Sequence, residues 1–385
     1  MRILIAHSFY RIAGGEDGYV QQQIELLRER HTVELLARRN AELTGGLSTV
    51  REMTFSRRSN DDVDSIVRDF RPDLIHLHNA YPSLGPSVHL VASKRSIPLV
   101  MTVHNFRLRC PNGYMFTEGE SCRRCEEGFY QNAVIHRCFP SRGQAAGYAT
   151  ALWTHRFLLR LDRKVSLYIT PSEFVRRRML EWGFDDSSVE VVRNFTSVHE
   201  ESVEPGTYGL YLGRISSEKG IDVLLRALKE AGDPPFKIAG DGPILNELQE
   251  LAGQLGLRNT EFLGRLSRSE VLATLRNSRF AALPSSWDEN APLAALEAMA
   301  LGRPLLVTAT GGLVELVQGG EGLVCPVGDV SALAAALREL STNDDRCREL
   351  GQAALSRARK EFRPEAHLTR LESAYESLLA RSGTG

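Results

Sequence analysis

Leu283-Pro284-Ser285-Ser286-Trp287-Asp288-Glu289-Asn290-Ala291-Pro292-Leu293-Ala294-Ala295-Leu296-Glu297-Ala298-Met299-Ala300-Leu301-Gly302-Arg303-Pro304 decides the fold class. The apolar run Arg279–Leu283 leads into it, a polar loop follows, and a helical pattern starts near Pro292. Proline suits the first helical position, where its missing N–H would find no partner anyway. Gly302-Arg303-Pro304 stops the helix and opens the next apolar run, Pro304–Val307. Strand, loop, helix and strand in that order make a β-α-β unit, the building block of a parallel sheet.

The same alternation extends outward in both directions. Strands are expected at Arg2–Ser8, Thr32–Ala37, Asp73–His78, Pro98–His104 and Leu167–Pro171 in the first half. The second half offers Tyr208–Gly213, Pro235–Ala239, Thr260–Leu263, Arg279–Leu283, Pro304–Val307 and Gly322–Cys325. Runs as apolar as Ile3-Leu4-Ile5 and Leu305-Leu306-Val307 suit strands buried on both faces. Between them lie helical spacings such as Val20, Ile24 and Leu27. The reading is an α/β protein of two Rossmann-like domains.

The polar, acidic stretch Ser197–Gly206 ends in Pro-Gly and reads as the linker. It places one domain at residues 1–200, with a Cys-rich insertion at 107–140, and a second at 207–362. The tail 363–385 has helical spacing at Leu368, Leu371, Tyr375 and Leu378 and should pack back on the first domain. Parallel sheets bind ligands at the carboxyl ends of their strands, so a cleft between the two sheets is the expected site.

The 385 residues carry a net charge of −1, so no global field draws the chain to nucleic acid or to an anionic membrane. The first apolar run is too short for a signal-peptide core, and no run approaches the ~20 residues of a membrane span. Six cysteines in a chain of this length fit a reducing cytoplasm.

The helix starting near Pro292 offers unpaired amides at Leu293 and Ala294 and the positive end of its dipole, an anion site. Glu289 lies in the loop before it. Glu297, about one and a half turns in, could accept two ribose hydroxyl hydrogen bonds. A second loop, Gly213-Arg214-Ile215-Ser216-Ser217-Glu218-Lys219-Gly220, follows a strand and brings Arg214 and Lys219 toward a diphosphate. Surface carboxylates and solvated cations are the plain alternative for each of these charges taken alone.

Taken together, these segments resemble the signature of the large retaining glycosyltransferase family, group 1 or family 4, whose founding members include sucrose synthase. The resemblance is tightest over Gly206–Gly328. It implies two Rossmann-like domains facing each other across a cleft, the GT-B fold. It also implies transfer of a hexose, with retention, from a UDP- or GDP-type nucleotide-sugar to a hydroxyl acceptor in glycan, glycolipid or metabolite biosynthesis. Glu289 and Glu297, seven residues apart, are the donor-binding glutamates of that signature. Asn290, Ala291, Pro292 and Leu293 belong to the same motif, and Gly213, Arg214 and Lys219 to its diphosphate loop. Ala239-Gly240-Asp241-Gly242-Pro243 resembles the glycine turn near the nucleotide, and Phe262-Leu263-Gly264-Arg265-Leu266 the stretch that reads the base. In the first domain Gly15 corresponds to a loop glycine that approaches donor and acceptor, with Glu16 as an acceptor contact. His104 corresponds to the histidine that contacts the transferred sugar, with Asn105 where the family often has Asp. Catalysis in this family usually needs no metal. An epimerase on the same fold and a non-catalytic sugar-nucleotide-binding subunit are the competing readings.

Cys110, Cys122, Cys125 and Cys138 are spaced by eleven, two and twelve residues. A Cys-x-x-Cys pair with two flanking cysteines suits a closed tetrahedral zinc site; reduced thiols and a disulfide are the alternatives. Arg156, Arg160, Arg163 and Lys164, with Trp153, Phe157 and Leu158, mark residues 150–165. They suit either an ordinary amphipathic helix with a solvated basic face or peripheral contact with an anionic bilayer and a lipid-linked acceptor.

Overall fold

Two six-stranded parallel sheets carry the chain in the computed structural model, which describes residues 1–11, 14–40, 46–198 and 203–382. The first sheet contains β1 (Arg2–Phe9), β2 (Thr32–Arg39), β3 (Leu74–Asn79), β4 (Leu99–Thr102), β5 (Leu167–Thr170) and β6 (Val189–Val191). Its order is β2-β1-β3-β4-β5-β6, every pair parallel. The second contains β7 (Tyr208–Leu212), β8 (Phe236–Ala239), β9 (Thr260–Gly264), β10 (Ser278–Leu283), β11 (Leu305–Thr308) and β12 (Gly322–Cys325). Its order is β9-β8-β7-β10-β11-β12, again wholly parallel. Sequence periodicity anticipates eleven of these strands. The three-residue β6 escapes it because Glu190 interrupts a run too short to show a period.

Residues of β11 alternate between two cores, which is why its sequence is continuously apolar. Leu305 and Val307 pack with Ala295, Leu296, Ala298 and Met299 on one face of the sheet. Leu306 packs with Leu224, Leu228, Leu333 and Leu337 on the other. The helix Leu293–Ala300 owes its position to this burial: Ala295, Ala298 and Met299 are fully covered. Burying a side chain of Leu or Met size stabilises by roughly 1.5–3 kcal/mol. Packing therefore sets where the helix that carries Glu297 lies, and its Ala, Leu, Met and Glu residues favour the helix itself.

The chain divides into two compact units. One comprises Met1–Glu118, Cys122–Val192 and Leu368–Gly385; the other comprises Gly119–Ser121 and Arg193–His367. Of the polar stretch 197–206, residues 199–202 lie outside the described residues. The helix Pro364–Ser382 sends Tyr375 to His76 Nδ1 at 2.6 Å and Glu372 to His31 at 2.9 Å. No helix of the described residues is long and apolar enough to cross a membrane.

Residues 150–165 are not the single amphipathic helix that their spacing suggests. The helix Arg142–Trp153 widens into a π-helical turn, Thr154–Leu158, and ends where Arg160 takes a left-handed conformation before a 3₁₀ turn. Arg156 turns inward, donating to Glu126 O at 2.7 Å and Tyr130 Oη at 3.1 Å. Trp153, Phe157 and Leu158 remain exposed.

Four histidines couple this fold to pH. Burial pushes His89 and His104 down to about 3 and His155 and His367 to about 4. The folded chain refuses protons that the unfolded chain accepts below about 6.5, so stability falls as pH drops through that range. At pH 5 each site costs about 2 kcal/mol relative to neutral pH. Urea unfolding at pH 7.5 and pH 5 should show this loss, and His367→Gln should make the pH dependence shallower. A midpoint unchanged between the two pH values would count against it.

Candidate functional site

The second sheet grows in opposite directions from β7 and β10, so the loops that follow these two strands flank a crevice at the carboxyl edge. The loop after β7 ends at Gly220, whose φ is +65°. A side-chain carbon at Gly220 would stand 2.1 Å from Pro284 O, in the loop after β10. Main chain meets main chain here, and only glycine fits. The loop after β8 lies against the loop after β7 in the same way. A carbon on Gly240 would sit 1.8 Å from Gly213 O, and one on Gly242 would sit 2.0 Å from Ile215 O.

This close stacking brings Lys219 Nζ to 2.6 Å from Glu289 Oε1. Ser285 Oγ donates to the same oxygen at 2.7 Å, and Lys219 lies 5.0 Å from the centroid of the Trp287 ring. Gly312 N donates to Glu289 O at 2.6 Å, and Thr310 Oγ1 donates to Asp288 Oδ1 at 3.0 Å. Burial pushes the Glu289 carboxyl up. The Lys219 charge and hydrogen bonds from Lys219, Ser285 and Trp287 outweigh that and hold it below the usual carboxylate range. Arg214 pairs with the buried Glu218, which also accepts from Ser216 Oγ at 2.7 Å.

Glu297 is buried on its helix and pairs with Arg268. Burial raises its carboxyl, and the Arg268 charge opposes the rise. Arg268 opens the helix Arg268–Arg276, which Ser267 and Glu270 close with a capping box. Arg265 and Leu266 lie just before that cap. Pro292 is the N-cap rather than the first helical residue: its φ of −69° suits a helix, but its ψ of 127° is extended. The helix starts at Leu293, and the amides of Leu293 and Ala294 have no acceptor one turn back. Asn290 is buried, and Ala291 O accepts from Asn194 Nδ2 at 3.1 Å.

Glu289, Glu297, Arg214, Lys219, Asn290, Ala291, Pro292, Leu293, Gly213, Gly242, Arg265 and Leu266 thus belong to one unit, and His104 and Gly15 to the other. Four residues carry no motif signal of their own. Glu218 and Arg268 neutralise the expected Arg214 and Glu297, while Ser285 and Trp287 hold Glu289 and its lysine. Ser285 and Trp287 do lie inside the stretch that decides the fold.

In the first unit the helix after β1 begins at Gly15, so this glycine opens the helix instead of lying in the loop, and Gly14 has open space where a side chain would go. The two acidic residues of its first turn have separate partners. Asp17 Oδ1 lies 2.9 Å from His7 Nε2, and Glu16 Oε2 accepts from Tyr10 Oη at 2.9 Å. Burial raises the Glu16 carboxyl above its ordinary range. His104 sits two residues past β4, its Nε2 2.9 Å from His78 Nδ1, and His78 stacks on His76 at 4.2 Å. Burial pushes His104 down to about 3, helped by His7 and His76, so its ring is neutral.

Beside His104 lies Arg107, which motif reading passes over. Its guanidinium sits 5.4 Å from the ring centroids of Tyr81 and Tyr148, and its Nε has no partner. None of the ion pairs among the described residues involves it. It lines a pocket with His78, Tyr81, His104, His155 and Tyr168.

The model of the Glycosyl transferases group 1 family matches residues 193–357, and that of the Glycosyl transferase 4-like domain matches residues 14–194. A D-inositol 3-phosphate glycosyltransferase of Corynebacterium aurimucosum is 31% identical over 334 residues, covering 82% of this chain and 75% of that protein. This chain belongs to the group 1 glycosyltransferases. The glycosyltransferase MJ1178 of Methanocaldococcus jannaschii is 26% identical over 310 residues, 80% of this chain and 76% of its own length. The fold is that of HepE from Anabaena, solved in complex with UDP and glucose. That match has a TM-score of 0.72 at 18% identity and covers 98% of this chain and 100% of that one. The group 1 family assignment and the two parallel α/β sheets make the chain a glycosyltransferase of the GT-B type.

Lys219→Met should leave Glu289 as a buried, unpaired carboxylate and cost about 3 kcal/mol at pH 7. A carboxyl held low contributes stability above its unfolded pKa and loses it as pH falls through the folded value. The difference from wild type should therefore close toward pH 4, and Glu289→Gln added to Lys219→Met should restore most of it at pH 7. Urea unfolding measures both, and a pH-independent difference would point to lost packing instead.

Proposed function

We propose that this glycosyltransferase moves a hexose, with retention, from a nucleotide-diphosphate sugar to a hydroxyl acceptor. The observation that carries the reading is the Lys219–Glu289 contact, held at the sheet's switch point beside the Leu293 and Ala294 amides. A cation and an anion kept 2.6 Å apart by three stacked loops are matched to a ligand that is anionic at its phosphates and hydroxylated at its sugar. HepE of the same fold was solved with UDP-glucose, which supports a donor of that class.

On donor binding Lys219 and Arg214 turn to the diphosphate, with the helix amides, while Glu289 accepts sugar hydroxyls and Glu297 accepts from the ribose. The bond between the anomeric carbon and the β-phosphate oxygen breaks as the acceptor oxygen bonds that carbon. The electron pair stays on the nucleoside diphosphate, and the acceptor proton passes to the departing phosphate oxygen. Positive charge develops on the sugar and negative charge on the phosphate, so donors aimed at the phosphate bind the transition state more tightly than the ground state.

Arg107 gives the acceptor side a chemistry. A guanidinium among tyrosines, without a carboxylate partner, suits an acceptor bearing a phosphate or carboxylate. The Corynebacterium relative is named for a phosphorylated polyol acceptor, in line with this. A lipid-linked phosphate at the inner face of a membrane is the peripheral version of the same reading. Exposed Trp153, Phe157 and Leu158 would then meet the bilayer.

Glu289→Gln should lower transfer from a nucleotide-sugar panel by 10²-fold or more, and NMR of the product should show the donor's anomeric configuration. A new nucleotide-sugar isomer without free nucleoside diphosphate would replace transfer by epimerisation. With phosphorylated acceptors offered in solution and in vesicles, Arg107→Gln should raise the acceptor KM about tenfold and leave the donor KM unchanged. Equal use of neutral and phosphorylated acceptors by wild type would sink the assignment of Arg107.

A further inference from the structure

Residues 107–140 hold a second constellation, separate from the donor loops. Each of the four cysteines sits on a hydrogen-bonded turn. Cys110 N donates to Phe106 O at 2.9 Å, and Gly113 N, at a φ of +81°, donates to Cys110 O at 3.0 Å. Cys122 N donates to Met115 O at 2.7 Å. Gly128 N closes a turn on Cys125 O at 3.0 Å, with a φ of +105° and the Phe157 ring directly against it. Cys138 N donates to Ala133 O at 3.0 Å, just after Arg137 takes a φ of 50°. The four cysteines, from four places in the insertion, all line one cavity.

None of the four is in a disulfide. Three of the sulfurs have only long contacts: Cys125 to Phe129 O at 3.7 Å, Cys138 to Thr117 Oγ1 at 3.7 Å, and Arg124 to Cys122 at 3.8 Å. Among the described residues no three His, Cys, Asp or Glu side chains are drawn together as a finished ligand set.

The charges around the cavity are mixed, with Glu126 and His136 beside its arginines. Arg109 is buried beside Cys110 with no carboxylate at ion-pair distance, and Asp162 acts on its charge from further away. Its contacts are the carbonyls of Leu108 at 3.0 Å and Trp182 at 3.4 Å and the ring faces of Trp182 and Phe184. Arg123 and Arg124 line the same cavity. A buried guanidinium is costly unless a compensating anion lies near it. Four thiolates around a divalent cation carry two net negative charges, and sulfur ligands in a closed tetrahedral set select zinc.

We propose that Cys110, Cys122, Cys125 and Cys138 bind one zinc ion that fixes the insertion and, through Cys110, the segment carrying Arg107. The ion is structural: four protein sulfurs leave no position for substrate. Its binding draws four protons from the thiols.

The full chain, purified without chelator, should contain about one zinc by plasma mass spectrometry, released by a thiol-specific mercurial. Cobalt loaded in its place should show the visible bands of a tetrahedral thiolate site, a readout that needs no variant. Cys122→Ser with Cys125→Ser should abolish metal binding. Loss of zinc should raise the acceptor KM and leave nucleotide-sugar protection against thermal unfolding intact, because the donor loops belong to the other unit. Well under one zinc per chain after exposure to the metal, or a disulfide joining any two of the four, overturns the proposal. So does cobalt bound without thiolate bands.

Discussion

The close approach of Lys219 to Glu289 is the interaction on which the rest of the second unit depends. Forming it requires the loops after β7 and β10 to touch, which requires glycine at 220 and a sheet that reverses its order between those strands. It also requires Glu289 to be held from behind, by Ser285 on its side chain and Gly312 on its backbone. A buried carboxylate beside a lysine gains little net stability, because desolvation offsets the attraction. What the arrangement supplies is placement. Both charges are dry and oriented before any ligand arrives, so little reorganisation remains for the reaction itself.

Three cationic side chains around the donor loops pair with a neighbouring carboxylate: Lys219 with Glu289, Arg214 with Glu218, Arg268 with Glu297. In the first unit Arg107 and Arg109 have no carboxylate at ion-pair distance, and Glu16 and Asp162 act on them from further away. The contrast separates two kinds of site. Paired charges exchange partners when a ligand comes and leave again intact. An unpaired buried cation calls for a standing anion or a substrate that brings one.

Much of this was legible in the residues. Strands buried on both faces announce themselves as apolar runs, so Leu305-Leu306-Val307 and Ile3-Leu4-Ile5 were readable without a structure. The loop after β10 was readable because Pro292 and Gly302 punctuate it. The partners of the expected charges were not, since Glu218 and Arg268 are ordinary residue types whose meaning lies in where the chain folds them. Residues 150–165 misled for a related reason. Their spacing is helical, but the π turn and the left-handed Arg160 depend on packing against Gly128 and Glu126, far away in sequence.

Three loops of the second unit stack with no room for even one carbon atom at Gly220, Gly240 and Gly242. Neither a substitution at those glycines nor a change in loop length can be absorbed locally; any such change would shift the neighbouring loop and the charge it carries.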